Sequence, residues 1–139
     1  MTRRSRMGLV YADVTFHGPL GQHREPRMLV DTGSTYTWIP EIVARTLGAR
    51  EREVIPLELA DGRIVYRMLG ELEVEILGRR GTRFVVFGLA GDSTLLGVDA
   101  LEGLRLEVDP ARHRLKASPT ALAISSRCPS MDPAESPAA

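Results

Sequence analysis

The sequence predicts a single, mainly β domain, on three observations. Apolar and polar residues alternate at every second position through most of the chain, the period of a strand with one buried face. Gly-Pro, Asp-Gly and Asp-Pro pairs punctuate these runs where turns would fall. A length of 139 residues fits one core better than two lobes.

In order, Leu9 to Phe16 reads as a strand with Val10, Ala12, Val14 and Phe16 on one face and Tyr11, Asp13 and Thr15 on the other. Gly18-Pro19-Leu20-Gly21 breaks it, and Arg24 to Val30 returns as the second arm of a hairpin that delivers Asp31 into the interior. Ile39, Ile42, Val43, Thr46 and Leu47 repeat at helical spacing from Pro40 onward, with Glu41 suited to the N-terminus and Gly48 to the C-cap. Val54 to Leu69 reads as two strands joined by a two-residue turn at Asp61-Gly62. Leu72, Val74 and Ile76 alternate with Glu71, Glu73 and Glu75, which are expected to be solvated. Gly78-Arg79-Arg80-Gly81 reads as a basic turn, and Phe84-Val85-Val86-Phe87 is apolar enough for burial on both sides. Gly88 to Asp92 forms a loop, Val98 to Glu102 a short helix ending at Gly103, and Asp99 its cap or dipole partner. Leu104, Leu106 and Val108 alternate before an Asp109-Pro110 turn, and His113 to Ala117 closes the fold. The domain is thus expected over 1–118. Residues 119–139 are rich in Ser, Pro and Ala and read as a disordered tail.

Composition narrows the function. Eighteen basic residues balance 18 acidic ones, so neither nucleic acid nor a membrane surface is indicated as a partner, and Arg3-Arg4-Ser5-Arg6 reads as a solvated terminus. No apolar run approaches the roughly 20 residues that span a bilayer, and the N-terminus lacks a signal-peptide core. A soluble, cytoplasmic protein is expected. Cys128 is the only cysteine, and His17, His23 and His113 stand apart without ligand spacing. These read as surface residues, and no metal or cofactor is expected.

The most informative stretch is Leu29-Val30-Asp31-Thr32-Gly33-Ser34-Thr35-Tyr36-Thr37-Trp38-Ile39-Pro40. An apolar strand that ends in a carboxylate is costly unless hydrogen bonds reach the acid, and a tight turn through Thr32, Gly33 and Ser34 offers amides and hydroxyls to do so. Apolar-apolar-Asp-Thr-Gly-Ser followed by Trp-Ile-Pro resembles the catalytic loop of aspartic peptidases, and Leu95-Leu96-Gly97 resembles the apolar-apolar-glycine segment that passes beside it. The two motifs in this order are far more specific than either alone.

The resemblance implies a retropepsin-like acid-protease β-barrel with one or two short helices and a flap hairpin, covering Leu9 to Ala117. It implies Asp31 as the catalytic acid, supported by Thr32, Gly33 and Ser34. Ala60, Asp61, Gly62, Arg63 and Ile64 would form a flap over bound peptide. With one such loop in the chain, the second carboxylate must come from a second copy, so the partners implied are the chain itself and peptide or protein substrates. Ser34 would hydrogen-bond the outer carboxylate oxygen, as in pepsin-like enzymes; retroviral enzymes usually have alanine there. Retroviral enzymes also pair an acid at the Thr35 position with an arginine at the Val98 position to brace the dimer. Both are missing here, leaving the terminal strands around Leu9 and Leu115 as candidates to hold it. A different class stays open: a non-catalytic peptide-binding or dimerisation module on the same fold.

Overall fold

The structure is a computed structural model and describes residues 9–121. The basic N-terminus, Cys128 and nearly all of the expected tail lie outside the described residues. The fold is mainly β. The strands are β1 (Tyr11–Asp13), β2 (Thr15–His17), β3 (His23–Arg24), β4 (Arg27–Leu29), β5 (Thr37–Pro40), β6 (Arg50–Glu58), β7 (Ile64–Ile76), β8 (Arg79–Gly88), β9 (Leu106–Asp109) and β10 (Arg114–Ala117). Two short helices, α1 (Glu41–Thr46) and α2 (Val98–Gly103), complete the described elements.

The expected first strand changes partners midway. β1 pairs with β4 and β2 with β3, and Val14 between them donates its N–H to Pro26 O at 3.0 Å. The result is one interrupted hairpin whose inward residues, Val10, Ala12, Val14 and Phe16, are all buried. Strand β7 is the spine. One edge carries β6 against residues 64–71 and then β2 against 73–75, while β8 lies along 69–76 on the other edge. Beyond β8 the parallel strand β5 completes the sheet. Among the described residues the sheets do not close into the expected barrel, because β1–β4 and β9–β10 pair only within themselves as separate two-stranded ribbons.

Strand β8 divides two cores. Val85 and Phe87 face the main core with Phe16, Leu72, Val74 and Leu96, while Val86 faces a smaller cluster with Trp38, Leu69 and Leu95. This is why Phe84 to Phe87 is a continuous apolar run. Fully burying each such side chain contributes roughly 1.5–3 kcal/mol.

Several local readings need correction. Helix α1 buries Ala44 and Leu47 but leaves Ile42 73% exposed. At about 100° per residue the stripe through Ile39, Val43, Ala44 and Leu47 turns Ile42 to the far side. Its end is a Schellman motif: Ala49 N–H reaches Ala44 O at 2.9 Å and Gly48 N–H reaches Arg45 O at 3.0 Å, with Gly48 at φ +77°. The basic turn is instead Leu77-Gly78, and Arg79 already begins β8. Glu71, Glu73 and Glu75 are not simply solvated; they pair with Arg52, Arg80 and His17 respectively, so His17 is a half-buried partner rather than a free surface residue. Asp99 caps nothing. Its carboxylate meets the N–H of Phe84 at 3.3 Å and Arg83 Nη1 at 3.4 Å, tying α2 to β8.

The turn between β7 and β8 holds two successive residues at positive φ, Leu77 at 51° and Gly78 at 78°. That is the signature of a type I′ turn, in which a leucine is strained and asparagine is favoured. Leu77 is exposed, so Leu77→Asn is expected to raise stability by about 0.5–1 kcal/mol, read as an upward shift in Tm.

Candidate active site

Asp31 leaves the end of β4 at a point where two segments cross. Leu96 N–H bonds Leu29 O at 2.8 Å and Asp31 N–H bonds Leu96 O at 2.9 Å, a parallel bridge that clamps the acid's backbone from the Leu95-Leu96-Gly97 side. On the other side Val30 N–H bonds Val10 O at 2.8 Å. Leu95 then pairs with Trp38 in both directions, at 2.9 and 3.1 Å. The Asp31 loop is therefore held at its entry and its exit by the same tripeptide.

Within the loop, Gly33 N–H donates to Asp31 Oδ1 at 2.9 Å and Ser34 N–H to Asp31 O at 3.2 Å. The first supplies one of the amide bonds the sequence requires for an acid at a strand end. Asp31 is half-buried at the surface of a cleft rather than in the interior, with Thr32 and Gly33 exposed beside it. Ser34 corrects another expectation. Its hydroxyl donates to Tyr36 O at 2.8 Å, so it braces the loop's own backbone and is not bonded to the carboxylate.

Gly97 is required by close approach: a Cβ there would sit 2.2 Å from Tyr36 O and 2.9 Å from Ser34 O. Its N–H is accepted by the buried hydroxyl of Thr37 at 3.1 Å. Beside Thr35 and Val98 the two segments are joined by backbone bonds within the chain. Val98 N–H reaches Ser34 O and Asp99 N–H reaches Thr35 O, each at 2.8 Å.

The cleft above Asp31 has a volume of about 990 Å³, ample for an extended peptide segment. Its apolar walls are Tyr36, Trp38, Ile55, Leu57 and Leu95. The β6–β7 hairpin roofs it, but the turn differs from the expected one. Gly62 N–H bonds Leu59 O at 2.9 Å and Leu59 N–H bonds Arg63 O at 2.8 Å. The central residues are thus Ala60 and Asp61, and Gly62, at φ +88°, forms the bulge that follows. Asp61 fastens this tip by accepting Arg63 N–H at 3.0 Å and Arg63 Nε at 2.7 Å, bonds that hold its carboxyl below the usual carboxylate range.

Of the residues expected at the tip, Ala60, Asp61 and Arg63 line the cleft. Gly62 does not, and Ile64 pairs with Glu58 on the outer face, 52% exposed. Leu95 lines the cleft, whereas Leu96 is fully buried in the main core. The sequence reading missed the wall from Gly91 to Ser93 and the roof residues Ile55 and Leu57. Their alternation with Val54 and Pro56 signalled a strand, without saying which face it turns inward. It also missed Asp92, whose carboxylate takes a two-pronged contact from Arg67 and the N–H of Leu89. These bonds, Arg67's first, hold the Asp92 carboxyl below its ordinary value. Among the described residues no group of three or more His, Cys, Asp or Glu is placed to hold a metal ion, and no helix is long and apolar enough to cross a membrane.

Two outcomes are expected. Thr37→Val leaves the buried Gly97 N–H without an acceptor and should cost about 1–3 kcal/mol in denaturant unfolding. For Asp92, a carboxyl whose folded value is lowered stabilises the fold above its unfolded value of about 3.9 and loses that contribution as pH falls through the folded value. The stability advantage of the parent over Asp92→Asn should therefore be constant above about pH 5 and shrink below about pH 4, as measured by thermal melts across that range.

A protein-family model described as "gag-polyprotein putative aspartyl protease" matches residues 20–103, from the first turn through the end of α2. No curated protein matches the sequence.

Proposed function

The chain belongs to this aspartyl protease family, and from that premise we propose that two copies form a homodimeric aspartic endopeptidase with Asp31 of each subunit at a shared site. The observation that carries the proposal is the position of Asp31. It lines a peptide-sized cleft, on a backbone clamped by Leu96 and with one carboxylate oxygen already accepting Gly33 N–H. A single carboxylate so placed can act as a base or as an acid; peptide hydrolysis needs both at once.

Two Asp31 carboxylates facing each other across a two-fold axis cannot both ionise cheaply, so they share one proton. The ionised member takes a proton from water, whose oxygen attacks the scissile carbonyl carbon. The protonated member hydrogen-bonds the carbonyl oxygen as it gains charge, and the proton gained by the base passes to the departing amine. The apolar walls from Trp38, Leu57 and Leu95 suit extended peptides with apolar side chains beside the cleaved bond. The hairpin over the cleft would exclude water and hold the substrate backbone.

The dimer needs a brace other than the missing ion pair. The Leu115 side chain is buried in its own subunit, which leaves backbone as the means of contact there. Among the described residues β10 is bonded to β9 along one edge only, and its second edge offers backbone groups to another strand.

Digestion of a mixed peptide library from acid to neutral pH, read by mass spectrometry, tests the assignment. Cleavage by the parent and loss of at least about 10³-fold in Asp31→Asn are expected. Equal cleavage by both would refute Asp31 as the catalyst, and a folded, dimeric parent silent at every pH would favour a peptide-binding module.

A further inference from the structure

The proposed hydrolysis makes no use of Arg67, yet this residue sits in an unusual place. Cross-strand pairing puts Ile55 opposite Arg67 and Leu57 opposite Val65, so all four share the inner face of the hairpin. Ile55, Leu57 and Val65 pack on the cluster of Trp38, Leu69 and Leu95. Arg67 is thus a cation within an apolar row, and its side chain is 16% exposed. Such a charge is tolerated only when paired and hydrogen-bonded.

Its guanidinium is used on every nitrogen. Nε donates to Asp92 Oδ2 at 2.7 Å, Nη2 to Asp92 Oδ1 at 3.1 Å and Nη1 to Tyr66 O at 2.9 Å. Asp92 in turn accepts Leu89 N–H at 2.7 Å and returns its own N–H to Leu89 O at 3.0 Å. One carboxylate therefore shapes the 89–92 loop and receives the fork from the roof. The location gives the pair its leverage. Residues 64–68 of β7 are bonded to β6 alone, since β8 begins its pairing only at Leu69. Among the described residues, Arg67–Asp92 is the only ion pair that joins the outer part of the hairpin, residues 54–68, to the rest of the chain; Asp61–Arg63 stays within it.

We infer that the Arg67–Asp92 fork is a strut that sets the height of the hairpin roof above the 89–95 wall, which makes Arg67 a positioning residue for substrate binding. Two parallel charge-assisted bonds fix direction as well as distance, which apolar contacts from Ile55, Leu57 and Val65 do not. Lysine would keep the charge and lose the fork.

The kinetic consequence rests on the peptidase reading, but the mechanical one does not, so the two can fail separately. Amide hydrogen exchange on the full chain would compare the parent with Arg67→Gln and Arg67→Lys. In Arg67→Gln, exchange over residues 54–66 should quicken about tenfold while β8 and the Asp31 loop keep their rates, and Arg67→Lys should recover part of the protection. With a cleaved peptide, KM should rise about tenfold and kcat stay within about twofold, with the lysine variant between. Unchanged exchange over 54–66 would overturn the strut, as would exchange quickened evenly through β8, which marks general loss of stability. If Arg67→Gln does not fold, Arg67→Lys decides by the same local pattern. Should the parent cleave no peptide, the proposed activity falls while the exchange data still decide the strut.

Discussion

The parallel bridge between Val30-Asp31 and Leu96 is the constraint on which the rest of the site depends. Two backbone hydrogen bonds there join segments about 65 residues apart in sequence. The close contact that makes Gly97 a necessity, the Leu95–Trp38 pairing and the acceptance of Gly97 N–H by Thr37 all follow from that crossing. Each group is satisfied only if the others are in register. A carboxylate can stand at the edge of an apolar core here because its backbone is not free to retreat into solvent or collapse inward.

Around that fixed point the sheet separates two tasks. The face of β8 carrying Val85 and Phe87 belongs to the main core, with Val74 from the adjacent β7 and Phe16 from β2 beyond it. The face carrying Val86 packs with Trp38, Leu69 and Leu95, of which Trp38 and Leu95 also line the cleft. The cleft thus rests in part on packed apolar residues, Trp38 and Leu95, which suits a site that must hold its acid in one geometry. The roof is built differently. Its outer half is a two-stranded ribbon, an arrangement marginal on its own, and its inner face meets the body through Ile55, Leu57, Val65 and the Arg67 fork.

Much of this was legible in the sequence because alternation and turn chemistry are local. Val10 to Phe16 and Leu72 to Ile76 show their buried faces directly, and Asp31-Thr32-Gly33 with Leu95-Leu96-Gly97 marked the crossing. What stayed hidden was non-local. Ile42 fits a helical repeat but falls off the buried stripe by geometry that only the packed helix fixes. The Leu77-Gly78 turn adopts two positive φ values despite a leucine, since the register of β7 and β8 overrides the local preference. The bonding of Ser34 to Tyr36 rather than to the acid depends on how the loop closes. The Arg67–Asp92 fork joins residues whose sequence contexts, a strand and a glycine loop, carry no mark of each other.

In the proposed enzyme one chain supplies half of a catalytic site. The most direct measurement follows peptide cleavage per chain as the protein is diluted, with the oligomeric state recorded by sedimentation on the same samples. Specific activity is expected to fall along the same concentration curve as the dimer and to vanish with it. Cleavage per chain that stays constant while the dimer dissociates would contradict that expectation.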